Sequence, residues 1–136
     1  MENSKALRTW LDDMQLDHPL VIAGPCSAET ETQVLDIAHQ LKNTDVNYYR
    51  AGIWKPRTRP GSFEGVGAIG LKWLQLVKEE TGLKTATEVA NRAHVELALE
   101  HDVEYCVVQA VGHIVRDGSF FKIIEKWMGK KNFFVT

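Results

Sequence analysis

The chain has 136 residues, 44% of them apolar and 25% charged, the balance of a soluble globular domain, which excludes wholesale disorder. A formal net charge of -2 gives bulk electrostatics no hold on nucleic acid or an anionic membrane, so any anion must be held by local placement of charge. The first residues lack the apolar stretch of a secretory signal and no run is long enough to span a bilayer, so a cytoplasmic protein is the expectation.

In chain order, "SKALRTWLDDMQL" carries Leu7, Trp10, Leu11 and Met14 at helical spacing. "PLVIAGP" is a short apolar run closed by Gly24-Pro25 and predicts a buried strand. "TETQVLDIAHQLKN" predicts a helix on Val34, Ile37, Ala38 and Leu41, starting near Glu29 or Thr30. "DVNYYRAG" predicts a second strand, followed by the loop "IWKPRTRPGSFEG". "VGAIGLKWLQLVKEETG" predicts a helix ended by Gly82. "LKTATEV" then reads as a third strand, "NRAHVELALEHD" as a third helix of this series and "VEYCVVQAV" as a fourth strand. "GSFFKIIEKWMGKK" predicts a last helix, and "NFFVT" the start of a fifth strand.

Strands alternating with helices over short connections predict parallel pairing with right-handed crossovers. A closed (β/α)8 barrel takes about 250 residues. The chain therefore corresponds either to a small open α/β sheet or to the N-terminal half of a TIM barrel, with about four βα units and the start of strand five. Both arrangements place active sites at the carboxyl ends of strands. The chemically notable residues fall there: Cys26 after strand one, Arg50 and Lys55 after strand two, Glu88 at the end of strand three.

The loop "YYRAGIWKPRTRPG" concentrates Arg50, Lys55, Arg57 and Arg59. Arginine forks and lysine point charges suit phosphate or carboxylate. Pro56 and Pro60 restrict the backbone around Arg57 and Thr58, which lowers the entropy lost on ordering around a ligand. The plainer alternative is a solvated basic turn. Cys26, in "GPCSAET", is a nucleophile, a metal ligand or packing. Glu88 is a metal ligand, an acid or base, or a residue that holds a lysine, with a strand-terminal salt bridge as the plainer alternative. Cys106 reads as a small buried hydrophobe, and His18, before strand one, and His39, His94 and His101, on helices or helix ends, read as surface residues.

Together "GPCSAET", "YRAGIWKPRT", "GSFEGVGAIGLKWL" and "TATEV" resemble 3-deoxy-D-arabino-heptulosonate 7-phosphate (DAHP) synthase of the type Iβ branch, from residue 1 to about residue 104. The resemblance implies a TIM barrel and an aldol-type condensation of phosphoenolpyruvate with erythrose 4-phosphate, opening the shikimate route to aromatic amino acids and chorismate. It also implies a divalent metal (manganese, iron or similar) and a homo-oligomer when the barrel is whole. Cys26 matches the family's metal-ligand cysteine. Arg50 and Lys55 match the basic pair on phosphoenolpyruvate, with Lys55 also near the reacting aldehyde as the catalytic residue. Arg57 and Thr58 match the holders of the erythrose 4-phosphate phosphate, and Glu88 a carboxylate of the phosphoenolpyruvate site.

The segment 105–136 departs from the family. Where the family has a glycine-alanine-arginine turn after strand four, this chain reads "QAVGHIVRDGS", and Arg116 is out of register with that arginine. A frameshifted or truncated gene would produce this pattern. The expectation is one partial barrel over 1–136 that is inactive and self-associating alone. Two alternatives stand beside it: a 3-deoxy-octulosonate 8-phosphate synthase-like enzyme, against which the "KPRT" loop argues, and a non-catalytic module that binds a phosphorylated ligand.

Overall fold

The computed structural model describes residues 15–55 and 61–108. The elements are β1 (Ile22–Ala23), α1 (Glu31–Leu41), β2 (Tyr48–Arg50), α2 (Ile69–Thr81), β3 (Lys84–Val89), α3 (Arg92–Glu100) and β4 (Tyr105–Val108). The four strands form one parallel sheet in the order β1-β2-β3-β4. Four parallel strands alternating with three helices have the arrangement of a partial (β/α) barrel, and the parallel pairing is the one that the alternation predicts. The expected N-terminal helix, last helix and fifth strand lie outside the described residues.

Local sequence accounts for the boundaries. Thr30 caps α1: its hydroxyl accepts the Gln33 N–H at 3.1 Å while the Gln33 side chain turns back toward the Thr30 N–H. Asn91 caps α3 by accepting the His94 N–H at 2.9 Å. Gly82 ends α2 in the left-handed region, φ 75°, and donates its N–H to Lys78 O at 2.9 Å. β1 is shorter than "PLVIAGP" suggests. The Val21 N–H goes to Asn47 Oδ1 at 2.9 Å, and Pro25 has no N–H for a ladder.

Side chains alternate across the sheet. Tyr49, Ala51, Val89 and Cys106 join Val34 and Ala38 of α1, Leu71, Leu74 and Val77 of α2, and Val95, Ala98 and Leu99 of α3 in the main core. Tyr49 also donates its hydroxyl to Val34 O at 2.9 Å, and burial pushes its phenol pKa up. On the other face, Tyr48, Ala86 and Tyr105 pack with Leu20 and Ile22. Two residues beyond Tyr48 and Ala86, the same alternation brings Arg50 and Glu88 to that face's carboxyl end. No helix among the described residues is long and apolar enough to cross a membrane.

Candidate functional site

Three chain segments meet at the carboxyl ends of β1 to β3. The register pairs Arg50 with Ala86, so Glu88 stands one pleat beyond Arg50, and Arg50 Nη2 donates to Glu88 Oε1. Beyond β2 and Gly52, the side chain of Lys55 enters the same space. Its Nζ lies 3.6 Å from Glu88 Oε2 and 3.6 Å from Cys26 Sγ. The Lys55 side chain is only 7% exposed, whereas Cys26 is exposed. A nearly buried ammonium is stable only beside opposite charge. Glu88 supplies that charge to both cations.

Two glycines make the approach possible. At Gly24, φ 154°, a Cβ would stand 1.8 Å from Arg50 O; at Gly52 it would stand 2.3 Å from Cys26 O and 2.6 Å from Lys55 Nζ. The Ala28 N–H donates to Gly52 O at 2.8 Å and binds the Cys26 turn to the loop after β2. That loop is closed at its base: the Lys55 N–H donates to Glu64 O at 2.7 Å, and the Gly67 N–H to Ile53 O at 2.9 Å.

Electrostatics follow from this geometry. The charge of Lys55, then the hydrogen bond and charge of Arg50, hold the Cys26 thiol below its ordinary pKa, toward the thiolate. Burial alone would lower the Arg50 pKa; the hydrogen bond and charge of Glu88, followed by those of Cys26, outweigh it and the net direction is upward. Two cations against one carboxylate leave the cluster with excess positive charge whenever Cys26 is a thiol. Such a pocket accepts an anion.

Of the residues singled out in the sequence, Cys26, Arg50, Lys55 and Glu88 come together. Glu88 pairs with a lysine, one of its three open roles. Arg57 and Thr58 lie outside the described residues, as does Arg116. Cys106 is fully buried, with its thiol pushed up by that burial. His94 differs from the expected surface residue: it is half-buried and its ring stacks on Trp54. Gly24, Gly52 and Trp54 also support the site and were not singled out. The available signal was adjacency, since each lies within three residues of a charged or thiol group of the cluster.

For a metal, Cys26 fits as one ligand, because an exposed sulfur biased toward thiolate is a donor for borderline divalent ions. Among the described residues no group of three or more His, Cys, Asp or Glu side chains could hold an ion.

The chain is similar to known proteins in sequence and in fold. The chain is 34% identical over 106 residues to phospho-2-dehydro-3-deoxyheptonate aldolase of Thermotoga maritima, covering 78% of this chain and 30% of that protein. It is 40% identical over 77 residues to 2-dehydro-3-deoxyphosphooctonate aldolase of Campylobacter jejuni, covering 52% of this chain and 28% of that protein. The crystal structure of the DAHP synthase of Thermotoga maritima superposes with a TM-score of 0.60 at 33% identity, over 67% of this chain and 26% of that one. The chain thus spans less than a third of the length of these relatives. Residues 14–113 match the family model described as the DAHP synthetase I family, and the chain belongs to that family.

Proposed function

We propose that the cluster is the phosphoenolpyruvate half of a 3-deoxy-7-phosphoheptulonate synthase site of the type Iβ branch, condensing phosphoenolpyruvate with erythrose 4-phosphate. The observation that carries this reading is Lys55, nearly buried and set between Glu88 and Cys26 beside Arg50. Arg50 and Lys55 hold the carboxylate and phosphate of phosphoenolpyruvate by charge-assisted bonds. Glu88 fixes both cations before the ligand arrives, so little reorganisation is needed on binding. By the family resemblance, Arg57 and Thr58 hold the phosphate of the aldose, so that its aldehyde carbon can meet the enol carbon. Lys55, at the junction of both substrates, holds a proton near the aldehyde oxygen as that oxygen gains charge. Cys26 would supply one ligand to a divalent metal, which when bound would polarise the aldehyde.

The 40% identity to an octonate aldolase supports a second reading, in which the acceptor is a five-carbon aldose phosphate. The "KPRT" stretch favours the four-carbon substrate. The test is calorimetric titration of the chain, with manganese and phosphoenolpyruvate present, by each aldose phosphate in turn. The proposal expects tighter binding of erythrose 4-phosphate, weakened about tenfold to a hundredfold by Arg57→Ala. Preference for the five-carbon sugar would select the second reading, and binding of neither would overturn both.

A further inference from the structure

The loop that delivers Lys55 is held from two sides. On one side, the Lys55 N–H donates to Glu64 O and the Gly67 N–H to Ile53 O. There the backbone is so close that a Cβ on Gly65 would come within 3.2 Å of Trp54 Cα. On the other side, the indole of Trp54 lies flat on the imidazole of His94, with ring centroids 4.0 Å apart and planes 4° apart. The imidazole is itself fixed. Its Nδ1 accepts the Ala90 N–H at 3.1 Å, and its backbone N–H is held by the capping Asn91.

The geometry points to His94 as a positioning residue: its neutral ring, locked by Ala90, is the strut that holds Trp54 and through it Lys55. This rests on the reading of Lys55 as part of an anion clamp. An Nδ1 that accepts from a backbone N–H places the ring proton on Nε2. A second proton would fall on Nδ1, turning the acceptor into a donor that faces another donor. The strut would then lose its anchor at Ala90, just beyond β3, and the ring its fixed plane under Trp54.

Among the described residues, the surroundings offer the extra proton no compensation. The charged groups on neighbouring elements are engaged elsewhere: Lys55 with Cys26 and Glu88, Glu88 with Arg50, and Arg92 with Glu96 at 3.1 Å. Glu64 is exposed and meets the segment through its carbonyl, and the Asn91 amide nitrogen stands 3.4 Å from Nε2. Burial lowers the His94 pKa, in the same direction as the geometry.

The test is hydrogen–deuterium exchange read by mass spectrometry over the segments bearing the Lys55 and Gly67 amides, corrected for intrinsic rates. Wild type, His94→Phe and His94→Ala are compared at about pH 7.5 and about pH 5, either side of the ordinary histidine value. Wild-type protection should fall about tenfold at the lower pH, and His94→Ala should show the low value at both. His94→Phe, which keeps a flat ring without a titrating nitrogen, should give one value at both pH settings. Wild-type protection that ignores pH, or His94→Ala protection equal to wild type, overturns the proposal. Phosphoenolpyruvate titration of the same samples separates the two claims. The expected exchange pattern without any phosphoenolpyruvate binding keeps His94 as the strut and removes the substrate reading instead.

Discussion

Lys55 Nζ stands 3.6 Å from Cys26 Sγ, so a nearly buried ammonium faces an exposed sulfur across the mouth of the site. This relationship makes the two cysteines chemically different. Alkylation near neutral pH should label Cys26 quickly and leave Cys106, fully buried with its thiol pushed up, unmodified in the folded chain. Lys55→Met should slow Cys26 labelling several-fold, because Lys55 is the largest cause of the lowered thiol pKa. Equal rates in the two proteins, followed by mass spectrometry, would contradict the placement of Lys55.

Glu88 serves two cations at once. Glu88→Gln keeps the size and some hydrogen bonding but removes the shared negative charge. It leaves Lys55 and Arg50 without the carboxylate that they share. The expected loss is about 3 kcal/mol in urea unfolding, the scale of breaking one side of a buried ion pair. A loss below about 1 kcal/mol would place these groups in the class of solvent-screened surface pairs.

Gly52 is tested by one carbon. A Cβ there would overlap both Cys26 O and the end of the Lys55 side chain, so Gly52→Ala should displace the thiol turn from the lysine. The measurable outcome is slower Cys26 labelling together with a lower melting temperature. Ala substitution at Gly61, where nothing lies within 4 Å, should leave Cys26 labelling unchanged although its φ of 80° makes it cost some stability.

His94 links stability to pH. Its folded-state pKa is depressed, so its unfolded form takes up a proton first as pH falls below about 6.5. The contribution is therefore present above that value and is lost as pH falls through the folded-state pKa. Urea midpoints measured from neutral to acidic pH should fall more steeply for wild type than for His94→Phe. Parallel curves would assign the pH dependence to other groups.

Much of this was legible from residues alone. That Tyr48 and Tyr49 pack on opposite faces of the sheet follows from strand periodicity, and the helix ends at Thr30 and Gly82 from local side-chain and backbone chemistry. The gathering of Cys26, Arg50, Lys55 and Glu88 followed from the rule that parallel strands carry function at their carboxyl ends. The Trp54–His94 stack was not legible, because it joins a loop to the helix after the next strand, and no local pattern encodes that pairing. The length of β1 also escaped, since it depends on a distant side chain, Asn47, taking the Val21 N–H.

The central claim is that Arg50, Lys55 and Glu88 form an organised clamp for phosphoenolpyruvate. Isothermal titration of the 136-residue chain with phosphoenolpyruvate, set beside Lys55→Met, tests it most directly. The prediction is wild-type binding that Lys55→Met weakens by about tenfold to a hundredfold, the value of one charge-assisted contact. Equal affinity in the two proteins, or no wild-type binding, would contradict it.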